Sequence, residues 1–315
     1  MKRFVFLSLV VLAVAAMIPL AVKIEYFYFA ACVVLQFVVL ATAWNILGGY
    51  AGYVNFGSGA FFAVGAYTAV AMYKATALPL GLQVLAGAAA AGLLGLGVGL
   101  LTLRLRGIFF SIATIAITII LETVVVNWAY VGGAKGLPIL RPTETPFFDN
   151  YTQWLFFVMA VIAVLAVAAA RYIQTSWIGR GLRAIRDNEG AAECSGVPTL
   201  KLKLFAATVS GALMGAAGAP FAQILSFIEP TSAFSLNYAV NALAMSIIGG
   251  TSHWIGPVVG AILLGTVQQV VTVTISSEVN VLVVGVMLVV FVVAAPEGII
   301  GLVARLKARM GGRRG

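Results

Sequence analysis

Charge is scarce in this 315-residue chain: Asp, Glu, Lys and Arg make up 9% of it, against 62% for hydrophobic residues. That balance lies far outside the range of soluble domains, and no stretch is both long and polar enough to fold as a separate one. Histidine occurs once, at His253, and cysteine twice, at Cys32 and Cys194. One histidine without Cys or acidic neighbours is a poor metal or catalytic candidate. The two cysteines lack metal-site spacing and read as small buried hydrophobes. No nucleophile is paired with a base. The pattern GxxxxGK followed by Ser or Thr is missing, so the chain does not bind ATP in the P-loop manner. It is therefore expected to be neither an enzyme nor the holder of a metal or cofactor, and whatever powers it must come from elsewhere.

What is there is a series of apolar runs. Ten segments stand out, at about 4–22, 26–47, 55–73, 78–103, 107–131, 152–174, 201–227, 237–250, 254–275 and 279–303. Each is near the length that crosses a hydrocarbon core of about 30 Å. The expected fold class is an all-α polytopic membrane helix bundle of about ten transmembrane segments, one domain over residues 1–315. The net charge of +9 would suit nucleic acid, but the basic residues sit at segment ends, where the positive-inside rule puts them. With the N-terminus inside and ten crossings, all Lys and Arg fall on the cytoplasmic side except Lys23, Lys74, Lys135 and Arg141. Arg106, Lys307, Arg309, Arg313 and Arg314 count among the cytoplasmic ones, and both termini are then cytoplasmic. The first segment also has the basic start and small residues of a signal peptide, but its apolar run exceeds a typical signal core, which favours a retained helix.

The spans divide five and five around the 131–151 loop. An odd number per half gives two halves of opposite orientation, the inverted-repeat arrangement common in transporters. Each half holds a glycine-interrupted stretch, at residues 48–67 and 247–261. Broken helices expose backbone groups that need a ligand, water or protein partner. Gly48, Gly49, Gly52, Gly57, Gly59 and Gly65 equally suit close helix packing, whereas the polar Asn55, Ser58, Tyr50 and Tyr53 among them must be satisfied by partners or by a water-lined path. Glu122 is the one carboxylate deep in an expected span. It either lines the path or makes an interhelical hydrogen bond, to Asn127, Asn241 or a backbone carbonyl.

The exception to the apolar pattern is residues 176–198, SWIGRGLRAIRDNEGAAECSGVP. Read as helix, Arg180, Arg183 and Asp187 form a polar ridge at spacings of three and four, with Leu182, Ile185 and Ala192 opposite. Arg186 and Glu189 lie together a step round the cylinder. Such a helix can lie on membrane lipid, but Asp187, Glu189 and Glu193 dilute the charge that an anionic surface attracts. Mixed charge fits the cleft of a cytosolic partner better.

Five motifs occur in order: GYAGYVNFGSGAFFAVGAYT at 49–68, LRLRGIFFSIATIA at 103–116, GGAKGL at 132–137, GRGLRAIRDNEGAAECSGV at 179–197 and GGTSHWIGPVVGA at 249–261. Together they resemble the branched-chain amino acid permease family of ABC importers, M-type subunit, over nearly the whole chain. The resemblance implies a homologous second permease subunit, two cytosolic ATPase subunits carrying ATP and Mg, and a periplasmic solute-binding protein, in a bacterial inner membrane. It also implies that the 176–198 loop is the coupling loop, with Arg180, Gly181, Arg183, Ala184, Arg186, Asp187, Glu189, Ala191, Ala192 and Gly196 toward the ATPase. In the importer pattern, EAA is followed by Gly; here Ala191, Ala192 and Gly196 match, but Gly190 takes the acidic position and Glu189 lies one residue earlier. Relatives often carry glutamine and histidine at the places of Tyr53 and Ser58, which leaves the solute open among branched-chain and other amino acids, amides, urea and aromatic acids. The expected path residues are Asn55, Phe56, Ser58, Thr114, Glu122 and Asn241. An ion-coupled secondary transporter or a passive channel is the alternative; the first calls for more intramembrane charge than Glu122, and the second leaves the charged loop without a purpose.

Overall fold

The computed structural model describes residues 2–76, 78–105, 107–139, 148, 150–274, 277–295, 297–302 and 305. Arg106, Arg141, Lys307, Arg309, Arg313 and Arg314 lie outside these. The helices run α1 (Lys2–Ala21), α2 (Glu25–Ala51), α3 (Ser58–Thr76), α4 (Leu80–Thr102), α5 (Ile108–Val126), α6 (Tyr151–Thr175), α7 (Trp177–Asp187), α8 (Glu189–Cys194), α9 (Thr199–Leu225), α10 (Pro230–Ala233), α11 (Asn237–Gly249), α12 (Ile255–Thr274) and α13 (Ser277–Ala294). Among the described residues the strand content is two antiparallel pairs, Leu137 with Ile228 and Pro138 with Phe227. The chain is an all-α polytopic bundle.

Helix occurs within each of the ten expected segments, yet only seven spans among the described residues are long and apolar enough to cross a bilayer: α2, α4, α5, α6, α9, Pro230–Gly249 and α12. Helix α3 falls short because it carries Gly, Thr, Tyr and Lys74 between its alanines. It tolerates them because protein, rather than lipid, surrounds it: Phe61, Phe62, Ala63, Ala66 and Tyr67 are buried. Helices α1 and α13 contribute the shorter apolar stretches Phe4–Pro19 and Leu282–Phe291.

The centre of the bundle is the junction of α3, α4 and α9, which pack on one another more extensively than most other pairs. Glycine makes that approach possible. A Cβ on Gly65 would fall on the backbone of Gly215, and one on Gly215 would strike Ala91 and Gly87. In the second half, Gly249, Gly256 and Gly260 do the same for α11 against α12. The 247–261 glycines therefore serve a tight helical hairpin, and Gly250, at φ 108°, makes its turn. Close packing of this kind supplies dispersion contacts that lipid cannot.

The halves share one further feature. Helices α2 and α9 each have 27 residues, and each ends in a left-handed residue, Gly52 at φ 78° and Ser226 at φ 59°. Each then opens into a non-helical segment before the next helix.

Candidate coupling surface and broken-helix site

Residues 176–198 form two helices rather than one. Asn188 breaks the run, with extended backbone (φ −161°, ψ 107°), and restarts it by accepting a hydrogen bond from the Ala191 N–H at its Oδ1, 3.0 Å. The expected apolar face is correct: Leu182, Ile185 and Ala192 are buried in one cluster with Leu47, Tyr50, Ile173, Leu202 and Ala206. Gly181 allows the approach, since a Cβ there would strike Leu202. Outward lie Arg180, Arg186, Asp187, Ala191 and Gly196, with Arg183 and Ala184 half-buried. Gly196, at φ 80°, turns the chain into α9.

Arg186 and Glu189 stand on separate helices and take different partners. Arg186 Nη1 donates to the Gly49 carbonyl, 2.9 Å, one of the carbonyls that the end of α2 leaves without an intrahelical donor. A guanidinium there also complements the helix dipole. Glu189 points inward. Its Oε1 lies 2.6 Å from Lys203 Nζ, and its Oε2 accepts from the Tyr53 hydroxyl, 2.8 Å. Lys203 Nζ also donates to the Leu103 carbonyl at 2.8 Å and to the Tyr53 hydroxyl oxygen at 3.1 Å. Its three protons thus meet three acceptors, as a buried ammonium requires. The Tyr53 ring packs edge-on against Phe110, with centroids 5.1 Å apart.

Sequence reasoning missed Lys203, which counted only as a basic residue at a segment end. The signal was present: Thr199, Leu202, Lys203, Ala206, Ala207 and Ser210, all buried, follow the spacing of a helix's inner face, so a lysine at 203 had to be paired.

Tyr53 opens the segment 52–57, which runs back along α2 inside the bundle. Its depth follows from its contacts: Tyr53 meets Lys203 and Asn55 shares a small cavity with Ala207 along the first turns of α9, and α3 then carries Phe61 on to Gly211. Non-helical backbone at such a depth must be satisfied by protein or water, and here named groups do so. Tyr53 N–H donates to Leu47 O, Ser111 Oγ to Val54 O, Trp44 Nε1 to Asn55 O, Phe56 N–H to Thr114 Oγ1 and Gly57 N–H to Asn55 Oδ1, at 2.7–3.3 Å. Asn55, Phe56 and Thr114, three expected path residues, are therefore brought together and hold the break open. Asn55 and Thr114 also line a small internal cavity with Phe61, Val98 and Phe110. Ser58 follows at the start of α3, fully buried, its Oγ without a hydrogen-bond partner among the described residues. The second break arrives from the other side: a Cβ on Gly59 would meet the carbonyls of Ser235 and Phe234, and Phe62 packs on Tyr238 with centroids 4.8 Å apart. The starts of α3 and α11 thus meet inside the bundle.

Asn241 and Glu122 are not drawn into this cluster. Asn241 accepts from Gln268 Nε2 at 2.9 Å, joining α11 to α12, and Asn127 donates to Thr123 O within its own helix end. Glu122 is half-buried on α5, whose neighbouring Ile119, Ile120 and Val124 are exposed. His253, in the turn between α11 and α12, is held below the ordinary histidine range by burial and by the nearby Arg171 guanidinium. Arg171 itself lies over the rings of Phe4 and Trp254.

Apolar helices around two internal breaks, with an amphipathic helix pair outside them, define a multi-pass membrane transport protein. The chain belongs to the family described as "Branched-chain amino acid transport system / permease component", which it matches over residues 26–292. It is 27% identical to the high-affinity branched-chain amino acid transport system permease protein LivM of Escherichia coli and 26% identical to that of Salmonella typhimurium. Each match covers 89% of this chain and 71% of the relative. It is also 33% identical to the ribose import permease protein RbsC of Haemophilus influenzae, over 40% of this chain and 43% of that one. No solved structure matches it. The chain is an ABC importer permease for small solutes, a multi-pass protein of the bacterial inner membrane.

Proposed function

We propose that the chain pairs with a homologous second permease subunit, that two cytosolic ATPase subunits carrying ATP and Mg dock on α7 and α8, and that a periplasmic binding protein delivers the solute. Both termini are then cytoplasmic. The observation that carries this reading is the amphipathic division of α7 and α8. Their apolar side is buried in the bundle while Arg180, Arg183, Arg186 and Asp187 remain at least partly open to a partner. Mixed charge on a helix so anchored suits a protein groove better than a lipid surface. Partner ATPases also answer the lack of a phosphate-binding loop in this chain.

The solute is a branched-chain amino acid or a related small polar molecule, an amino acid, amide, urea or aromatic acid. Asn55, Phe56, Ser58 and Thr114 bound its path at the broken segment, with Glu122 and Asn241 further along it. The Tyr53 hydroxyl is committed to Glu189 and Lys203, so a tyrosine there bears on coupling rather than on the choice of solute. The test is co-purification from membranes. The tagged permease is expected to bring down its ATPases, and Arg183→Glu and Asp187→Arg are expected to reduce that yield while membrane insertion is unchanged. Normal assembly in both variants would refute the docking assignment.

A further inference from the structure

We infer that Glu189, Lys203 and Tyr53 are positioning residues that carry motion of the α7–α8 pair to the broken segment 52–57; the inference rests on the docking role proposed above for α7 and α8. An acidic side chain in a docking helix would serve the partner by pointing outward. Glu189 points the other way, its side chain 12% exposed, onto a lysine that is 4% exposed. Among the described residues the cluster joins four places: α8 through Glu189, α9 through Lys203, the α4 end through the Leu103 carbonyl, and the broken segment through Tyr53.

A second strut lies beside it. Arg186 of α7 bonds the Gly49 carbonyl, and its side chain rests where a Cβ of Gly52 would stand. The helix pair therefore holds the turn from both sides, at Gly49 and Gly52 through Arg186 and at Tyr53 through Glu189. Two residues beyond Tyr53 is Asn55, whose carbonyl and side chain hold the break open.

A load applied to α7–α8 has two routes. The apolar face touching Leu47 and Tyr50 resists compression but has no direction, whereas short hydrogen bonds from a paired carboxylate transmit pull as well as push. Buried ion pairs are well suited to fixing register rather than adding stability. The Glu189–Lys203–Tyr53 arrangement is of that kind, so a shift of α8 takes Tyr53 and the start of the broken segment with it.

The test uses the whole importer, permease with its co-expressed ATPases, in membrane vesicles. Val54, in the segment and 37% exposed, is replaced by cysteine in a Cys194→Ser background, which leaves the buried Cys32. The rate of N-ethylmaleimide labelling is compared without nucleotide and with ATP plus vanadate. In the parent the rate is expected to change several-fold. Tyr53→Phe, which keeps the ring against Phe110, and the neutral double variant Glu189→Gln with Lys203→Met are each expected to abolish that change while the ATPases still co-purify at the parent level. A full nucleotide-dependent change in both variants, or no change in the parent, would overturn the inference and leave the importer reading intact. Loss of ATPase co-purification in the double variant, with Tyr53→Phe behaving as the parent, would make Glu189 a docking contact and overturn it too. If the parent itself retains no ATPase, the docking reading fails first.

Discussion

Replacing Lys203 with methionine tests whether the pair with Glu189 is as enclosed as its geometry indicates. The substitution keeps the length of the stem but removes the ammonium that meets Glu189, Tyr53 and the Leu103 carbonyl. Breaking a buried ion pair from one side typically costs about 3–5 kcal/mol, because the remaining charge stays in a poorly solvating site. A glutamate can escape that penalty by taking up a proton, and from a reference pKa near 4.3 this costs about 3.7 kcal/mol at neutral pH. The loss should therefore sit at about 4 kcal/mol. Adding Glu189→Gln removes the charge that has lost the Lys203 ammonium and leaves the Leu103 carbonyl without the Lys203 donor, worth about 1–3 kcal/mol. The double variant is thus expected to be more stable than Lys203→Met alone, by about 2 kcal/mol.

Thermal unfolding of the purified permease in detergent measures this. At roughly 2 °C per kcal/mol, as in larger soluble domains, the single variant should melt some 8 °C below the parent and the double should recover about half of that. Additive effects of under about 1 kcal/mol each would show a water-exposed pair and refute the reasoning.

Gly215→Val is expected to prevent a folded bundle, because its Cβ would strike Ala91 and Gly87 of α4; a monodisperse peak from a fluorescent fusion in size-exclusion chromatography would contradict this. Thr114→Val, which removes the acceptor of the Phe56 N–H, should destabilise by about 1–3 kcal/mol and lower uptake of labelled L-leucine or another transported solute, whereas Thr114→Ser should restore both. Glu122→Gln is expected to lower the uptake rate without affecting insertion, and unchanged transport kinetics would remove Glu122 from the path. His253, the one histidine of the chain, should titrate below the usual range. Stability should therefore fall as pH drops from about 6.5 toward the lowered value, where the unfolded chain binds the proton more readily. Arg171→Gln should move the titration back upward, as read from the single labelled imidazole signal by NMR.

Helix positions were legible because lipid imposes a strong local rule: each crossing needs a long apolar run with its backbone bonded internally. The apolar side of residues 176–198 was legible for the same reason, since Leu182, Ile185 and Ala192 recur at helical spacing. Pattern alone marked Asn55, because polar groups among glycines in an apolar chain need a partner or a path, whereas Phe56 and Thr114 joined the expected path only through the family resemblance. Of the ten expected spans, seven match helices long and apolar enough to cross a bilayer among the described residues; apolar runs do not tell a buried core helix from a lipid-facing one. Arg186 and Glu189 were read as neighbours on one helical cylinder, but Asn188 ends the helix between them.

By itself, the sequence determined that this is an apolar helical bundle with one charged loop and no nucleotide-binding loop of its own, because composition and periodicity are local quantities. Tertiary structure alone decided that Glu189 faces Lys203 rather than the cytosol, that Tyr53 joins them, and that Thr114 and Trp44 sustain a break beside the first turns of α9. Those contacts link residues up to 150 positions apart, as from Tyr53 to Lys203. Partners so distant meet only after the glycines of α3, α4 and α9 have let their backbones close on one another.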